Sequence, residues 1–206
     1  MTHSLYKVHP WHGIPIGAEA PESVTAFIEI VPTDTVKYEV DKETGYLKVD
    51  RPQKFSNIIP ALYGFVPQTL SGESSGRFSG AQAGREGLQG DGDPLDICVL
   101  SERNITHGDI ILKAIPIGGF RLIDRGEADD KIIAVMAKDE VYREWQDVTD
   151  VPTAILQRLH HYFLTYKNMP GVDERLCEIV QVYGREEALE VIRHAMHDYQ
   201  TLFGGA

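Results

Sequence analysis

Thr25-Ala26-Phe27-Ile28-Glu29-Ile30-Val31, Thr35-Val36-Lys37-Tyr38-Glu39-Val40 and Tyr46-Leu47-Lys48-Val49 alternate apolar and polar residues in short runs, separated by turn signals at Pro32-Thr33-Asp34 and Thr44-Gly45. That pattern predicts a meander of antiparallel strands. Side chains two positions apart share a face of a strand, so Lys37 lies beside Glu39 and Phe27 beside Glu29, which puts charged groups on common surfaces. Working outward, further β-like runs occur at 97–100, 110–117, 120–123 and 132–135, several of them divided by Gly-containing turns. Their number predicts a barrel or sandwich core. Helical periodicity comes late: Ile155, Leu156, Leu159, Tyr162 and Phe163 form one stripe within 151–167, and Leu189, Val191, Ile192, Met196 and Tyr199 another within 185–202. The expected class is α+β, with two main helices in the C-terminal half packed on a β core.

A chain of 206 residues, 42% hydrophobic and 25% charged, suits one globular domain spanning 1–206. Its formal net charge of −11 repels a nucleic-acid backbone and an anionic membrane, and no basic run offsets it. A small anionic substrate meets the same repulsion and must bring cations or find a local cluster of Lys and Arg. The N-terminal Met1 to Lys7 lacks the apolar stretch of a signal peptide and no run of about 18 apolar residues is present, so the expectation is a cytoplasmic protein. Cys98 and Cys177 sit in apolar surroundings and read as buried small hydrophobes. Residues 71–90 are dominated by Gly and Ser and read as a flexible inserted loop. Within them Gly72-Glu73-Ser74-Ser75-Gly76 matches the serine-hydrolase elbow formally, but the elbow needs an apolar strand before it and a helix after it, and neither is expected here.

The chemistry concentrates in Asp91-Gly92-Asp93-Pro94-Leu95-Asp96. Three carboxylates within six residues repel one another unless a cation neutralises them, and hard divalent ions prefer oxygen ligands. Taken alone, the turn is equally readable as a solvated acidic loop. A calcium loop of the EF-hand type fails, because Leu95 and Asp96 occupy the positions that need an oxygen ligand and a glycine. A second acidic turn, Asp124-Arg125-Gly126-Glu127-Ala128-Asp129-Asp130-Lys131, lies between two apolar strands. No phosphate-binding glycine loop of the nucleotide-binding kinds is present.

Taken together with Ile28-Glu29-Ile30, Lys37-Tyr38-Glu39-Val40-Asp41, Val49-Asp50-Arg51, Tyr63-Gly64-Phe65 and Tyr166-Lys167, these two turns make the chain resemble the family I soluble inorganic pyrophosphatases from about residue 11 to 170. The resemblance implies a five-stranded OB-like β-barrel carrying the helices. It implies Mg²⁺-dependent hydrolysis of pyrophosphate to two phosphates, with several ions per site. Carried over position by position, it implies Asp91, Asp96 and Asp129 as ligands of a tight metal pair and Asp93 as general base. Asp124 (with Asp129) and Glu39 become ligands of further ions, and Glu29 a cavity acid. Lys37, Arg51, Tyr63, Lys131, Tyr166 and Lys167 are implied to grip phosphate oxygens. The sequence departs from the family pattern at Ile59 and Leu62, beside Tyr63, and at Arg125, after Asp124. A homo-oligomer, a hexamer by analogy, is implied, with His160 and His161 as candidates for its interface. The alternative is a catalytically silent metal- and phosphate-binding module of the same fold. The presence of Lys37, Arg51, Lys131 and Lys167 speaks against it, since degenerate relatives usually lose their phosphate-gripping cations first.

Overall fold

A computed structural model describes residues 7–167 and 176–204. Residues 1–6, which bear on the leader expectation, and residues 168–170, at the end of the family-like blocks, lie outside the described residues. The strands of the first half are β1 (Val24–Ile30), β2 (Val36–Val40), β3 (Leu47–Pro52), β4 (Leu62–Phe65), β5 (Gln89–Gly90) and β6 (Asp96–Leu100). They are followed by β7 (Ile110–Asp124), β8 (Glu127–Ala128), β9 (Lys131–Met136) and β10 (Cys177–Gly184). Three α-helices are described: α1 (Glu73–Ala83), α2 (Thr153–Thr165) and α3 (Arg185–Phe203).

Five strands close on themselves in the order β1-β4-β6-β9-β7, with β7 returning to pair β1. All neighbours in the ring are antiparallel except β6 and β9. This closed five-stranded ring with helices against it is the α+β, OB-like architecture. Closure satisfies the strand edges that an open sheet would leave bare. The wall strands are apolar on both faces, and their alternation sorts them into two cores. Ile97, Val99, Ile132 and Ala134 pack in one cluster with Ala188, Val191, Ile192 and Ala195 of α3. Cys98, Leu100, Ile133 and Val135 pack in the other with Leu159, Tyr162 and Phe163 of α2. Cys98 and Cys177 are buried free thiols.

Four expectations need correction. The three N-terminal strands are not one meander: β2 and β3 pair as a separate hairpin, while both edges of β1 are taken by β4 and β7. The runs at 110–117 and 120–123 belong to one fifteen-residue strand, β7, whose register shifts between Pro116 and Gly118. Gly118 is a place of close approach there rather than a turn, since a Cβ on it would stand 2.5 Å from the Tyr183 carbonyl oxygen of β10. The two main helices are accompanied by a third, and it lies in the segment read as a flexible loop. Residues 73–83 form α1, with Ser75, Gly76, Ser79 and Gly80 buried. Small residues are required here because a Cβ on Gly76 would meet the Gly90 nitrogen at 2.5 Å, and one on Gly90 the Ser71 carbonyl oxygen at 2.2 Å. The composition that suggests a floppy chain instead permits close packing.

The serine-hydrolase match needs a correction too, because a helix does run on from the motif: α1 begins at Glu73. Ser74 and Ser75 stand in the first turn of α1, where Asp198 of α3 accepts from the backbone N–H groups of Gly72 (3.1 Å), Ser74 (2.9 Å) and Ser75 (2.8 Å). Asp198 thus caps α1 from another helix. The amides an oxyanion would need are already taken, although Ser74 Oγ lies 2.7 Å from His194 Nδ1.

Candidate active site

A cleft of about 490 Å³ opens between the ring and the β2–β3 hairpin, lined by Glu29, Lys37, Glu39, Tyr63, Asp93 and Asp96 together with Trp11, Lys42 and Lys48. Local chemistry explains how each element delivers its side chains. Lys37 and Arg51 are cross-strand partners in the hairpin. Lys37 Nζ lies 2.9 Å from Glu39 Oε2 and 2.9 Å from Asp50 Oδ2, and Arg51 pairs with the same Asp50 oxygen. The same-face pairing of Lys37 with Glu39 follows from strand alternation, as the sequence predicts. Glu29 reaches from β1 to the hairpin and accepts from the Val40 backbone N–H at 2.6 Å. Burial pushes its carboxyl up to about 8, with the N–H bond from Val40 pulling the other way.

The acidic turn is held at its backbone. Gly92 N–H donates to the Ser71 carbonyl at 2.9 Å, and Ser71 N–H donates to the Asp93 carbonyl at 2.7 Å. Gly92 adopts φ +76, a conformation in which any side chain would be strained. The turn opens into β6, where Asp96 is the cross-strand partner of Lys131 on β9. Lys131 is 2% exposed, and its ammonium sits between Asp96 and Asp129. Burial alone would lower its pKa; the two carboxylates outweigh that and hold it well above the ordinary lysine value. Tyr63 donates its hydroxyl to the same Asp96 oxygen at 2.6 Å. Asp93 faces Lys42 of the hairpin loop as an ion pair.

Asp91 is partly buried. Burial, followed by repulsion from Asp129, pushes its carboxyl up to about 8. Asp129 is raised in the same direction by burial, with Lys131 opposing. A second lobe adjoins. Lys167 pairs with Asp124, Cys177 Sγ donates to Asp124 Oδ1 at 3.3 Å, and the Lys167 ammonium lies 5.1 Å from the Tyr166 ring centre. Although burial opposes it, the bond from Lys167 keeps the Asp124 carboxyl below its usual range. Tyr166, 8% exposed, packs on Tyr162 and Phe163.

Of the thirteen residues singled out from sequence, Glu29, Lys37, Glu39, Tyr63, Asp93 and Asp96 line the cleft, Lys131 and Asp129 join it through Asp96, and Lys167 and Asp124 pair in the adjoining lobe. Lys42, Asp50, Ser71, Trp11 and Asp130 also shape the region; Asp50 and Asp130 lie in quoted motifs, but sequence reasoning singled out none of the five as a site residue. Ile59 and Leu62 are buried in the two cores and do not face the cleft. Arg125 is exposed at φ +51, and its charge adds to the lowering of Asp124. Of the helix histidines, His161 is exposed and His160 meets the Phe120 ring edge-on.

The donor set fits a divalent cation. Asp91, Asp96 and Asp129 present hard oxygens with Lys131 as the positive charge paired to Asp96 and Asp129, and burial raises the carboxyls of Asp91 and Asp129. Among the described residues no three such side chains already converge at metal-binding spacing; the Lys131 ammonium stands between two of them.

Comparison with known proteins points the same way. The model of a family described as inorganic pyrophosphatase matches residues 26–200. An inorganic pyrophosphatase of Chlamydia muridarum is 54% identical over 203 residues, covering 97% of both chains. That of Chlamydia caviae is 55% identical over 205 residues, covering 97% of this chain and 94% of its own. The crystal structure of inorganic pyrophosphatase from Thermus thermophilus superposes with a TM-score of 0.78 at 30% identity, covering 94% of this chain and 99% of that one.

Proposed function

The chain belongs to the inorganic pyrophosphatase family, and from that premise we propose that it hydrolyses inorganic pyrophosphate to two phosphates with Mg²⁺ as cofactor. The observation that carries this reading is the pairing of an oxygen-donor set, Asp91, Asp96 and the buried Asp129, with four cations, of which Lys37 lines the cleft beside Asp96, Lys131 pairs with Asp96 and Asp129, and Arg51 and Lys167 pair with Asp50 and Asp124 next to it. A module that bound metal alone would need the first and not the second.

Asp91, Asp96 and Asp129 would hold the principal cations, and Asp124 and Glu39 those that arrive with the substrate. When bound, the ions offset the charge of the diphosphate and lower the pKa of an attacking water. Asp93 accepts the proton of that water, a task its partly exposed carboxylate at the mouth of the cleft suits. Lys42, its partner here, must release it for that step. Lys37 and Arg51 neutralise phosphate oxygens from the hairpin side, and Lys131 and Lys167 from the ring side. Tyr63 and Tyr166 add directed hydroxyl donors. Glu29, buried and raised in pKa, braces the hairpin against β1 through the Val40 amide and keeps the cation-bearing strand over the cleft.

The test is phosphate release from pyrophosphate by the purified protein, with Mg²⁺ and with a chelator. Release only with Mg²⁺ supports the proposal. Metal-dependent stabilisation without release would assign the silent module instead. The family resemblance also supports a cytoplasmic homo-oligomer, taken as a hexamer, which sedimentation of the intact protein tests. Among the described residues no helix is long and apolar enough to cross a membrane.

A further inference from the structure

Asp129 and Lys131 pair with each other beside Asp96, and between them in the chain stands Asp130, whose side chain goes instead to α1 and β7. It is 5% exposed, accepts from Ser79 Oγ of α1, and lies 3.5 Å from Arg121 Nε of β7. Arg121 is fully buried, its guanidinium between the Phe78 ring of α1 (5.5 Å) and the Tyr183 ring of β10 (5.0 Å). Its Nη1 donates to Gln181 (2.6 Å) and to Glu187 of α3 (2.5 Å). Four elements and the second acidic turn thus meet at one buried cluster of charges that the proposed chemistry does not touch.

Stability alone is a poor reason for such a cluster. Desolvating a guanidinium and two carboxylates costs several kcal/mol per ion, and an apolar core of equal volume is often as stable. What the cluster does provide is a fixed position. Asp130 is one peptide bond from Asp129 and one from Lys131, so anchoring its side chain at Ser79 and Arg121 restricts the backbone that carries both. α1 supplies the Ser79 hydroxyl, and the residue that leads into α1, Ser71, bonds the Asp93 carbonyl (2.7 Å) and reaches the Ala128 carbonyl (3.3 Å). The segment 71–90 is thereby tied to both acidic turns.

We infer that Asp130, Ser79 and Arg121 are positioning residues that set the separation of Asp129 from the Asp91–Asp96 turn, so that α1 governs how tightly the site binds its divalent cation. The inference rests on the metal site proposed above. Residues outside the ligand set act this way because they fix the orientation a ligand would otherwise lose entropy to adopt.

The experiment is calorimetric titration of the intact protein with Mg²⁺ alone, no substrate present, beside thermal melting. Ser79→Ala and Asp130→Asn should each weaken Mg²⁺ binding about tenfold, the low end for outer partners of metal ligands. Ser79→Thr, which keeps the hydroxyl, should restore it. Ser74→Ala, on the same helix but outside the cluster, should bind as the parent does. Variants that melt lower but bind Mg²⁺ as the parent does overturn the inference and leave a merely structural cluster. If Asp130→Asn does not fold, Ser79→Ala and its threonine rescue decide alone. A parent that binds no Mg²⁺ overturns the metal-site reading itself, and the inference with it.

Discussion

Asp93 is separated from its neighbours Asp91 and Asp96 by its surroundings more than by its chemistry. It sits at the cleft mouth opposite Lys42, while Asp96 is bound to Tyr63 and Lys131 farther in. Asp93→Asn should therefore lower phosphate release by about 10²- to 10⁴-fold, the usual worth of a general base, with circular dichroism and Mg²⁺ binding unchanged. Retained turnover would remove Asp93 from the role. A residue-scale effect on stability is expected at Asp139. Its buried carboxylate accepts from the backbone N–H groups of Tyr142 (2.8 Å), Glu102 (2.7 Å) and Val141 (2.9 Å). Burial alone would raise its pKa, but these bonds outweigh it and hold the value below 3.8. A depressed carboxyl stabilises the fold above its unfolded pKa, and that contribution fades as pH falls from about 4 through the folded value. Asp139→Asn should lower stability at pH 7 by about 1–2 kcal/mol and flatten the acid limb of the stability curve. Urea melts at pH 7 and pH 3 check both.

At the scale of elements, α1 depends on contacts that its own sequence does not contain. Gly72 as N-cap offers no side-chain acceptor, and Asp198 supplies one from α3. Asp198→Ala would leave buried amides without partners, so a loss of at least about 2 kcal/mol is expected, measured by chemical denaturation. Gly76→Ala tests the packing reading of the Gly/Ser segment. A mobile loop would tolerate or welcome alanine; a helix pressed on β5 should lose about 1–3 kcal/mol from overpacking. A melting temperature unchanged in Gly76→Ala would return the segment to a loosely held role.

For the whole molecule the governing quantity is the net charge of −11. The thirteen site residues contribute seven carboxylates against four cations, and cations held at the proposed metal site would bind the folded chain and not the unfolded one. Mg²⁺ at a hundredfold over its dissociation constant should stabilise the protein by about 2.7 kcal/mol, a shift that a chelator reverses. Sodium chloride at matched ionic strength should give much less, since screening acts weakly on buried groups. Equal stabilisation by both salts would mean general charge screening rather than a site.

Strand and helix periodicity made β1, β2, β3, β6, β9, α2 and α3 legible, because burying one face of an element imposes a period on its own residues. The acidic motifs showed where carboxylates crowd, which a solvated loop would equally explain, and only the family resemblance made them candidate ligands. The pairing of β1 with β7 rather than β2, the helical state of 73–83, the cap from Asp198 and the placement of Lys131 between Asp96 and Asp129 were decided only in three dimensions. Each depends on groups far apart in sequence. A glycine pressed against another strand has the same local signature as a glycine in a loose loop, and nothing near Asp130 along the chain announces that Ser79 and Arg121 will meet it.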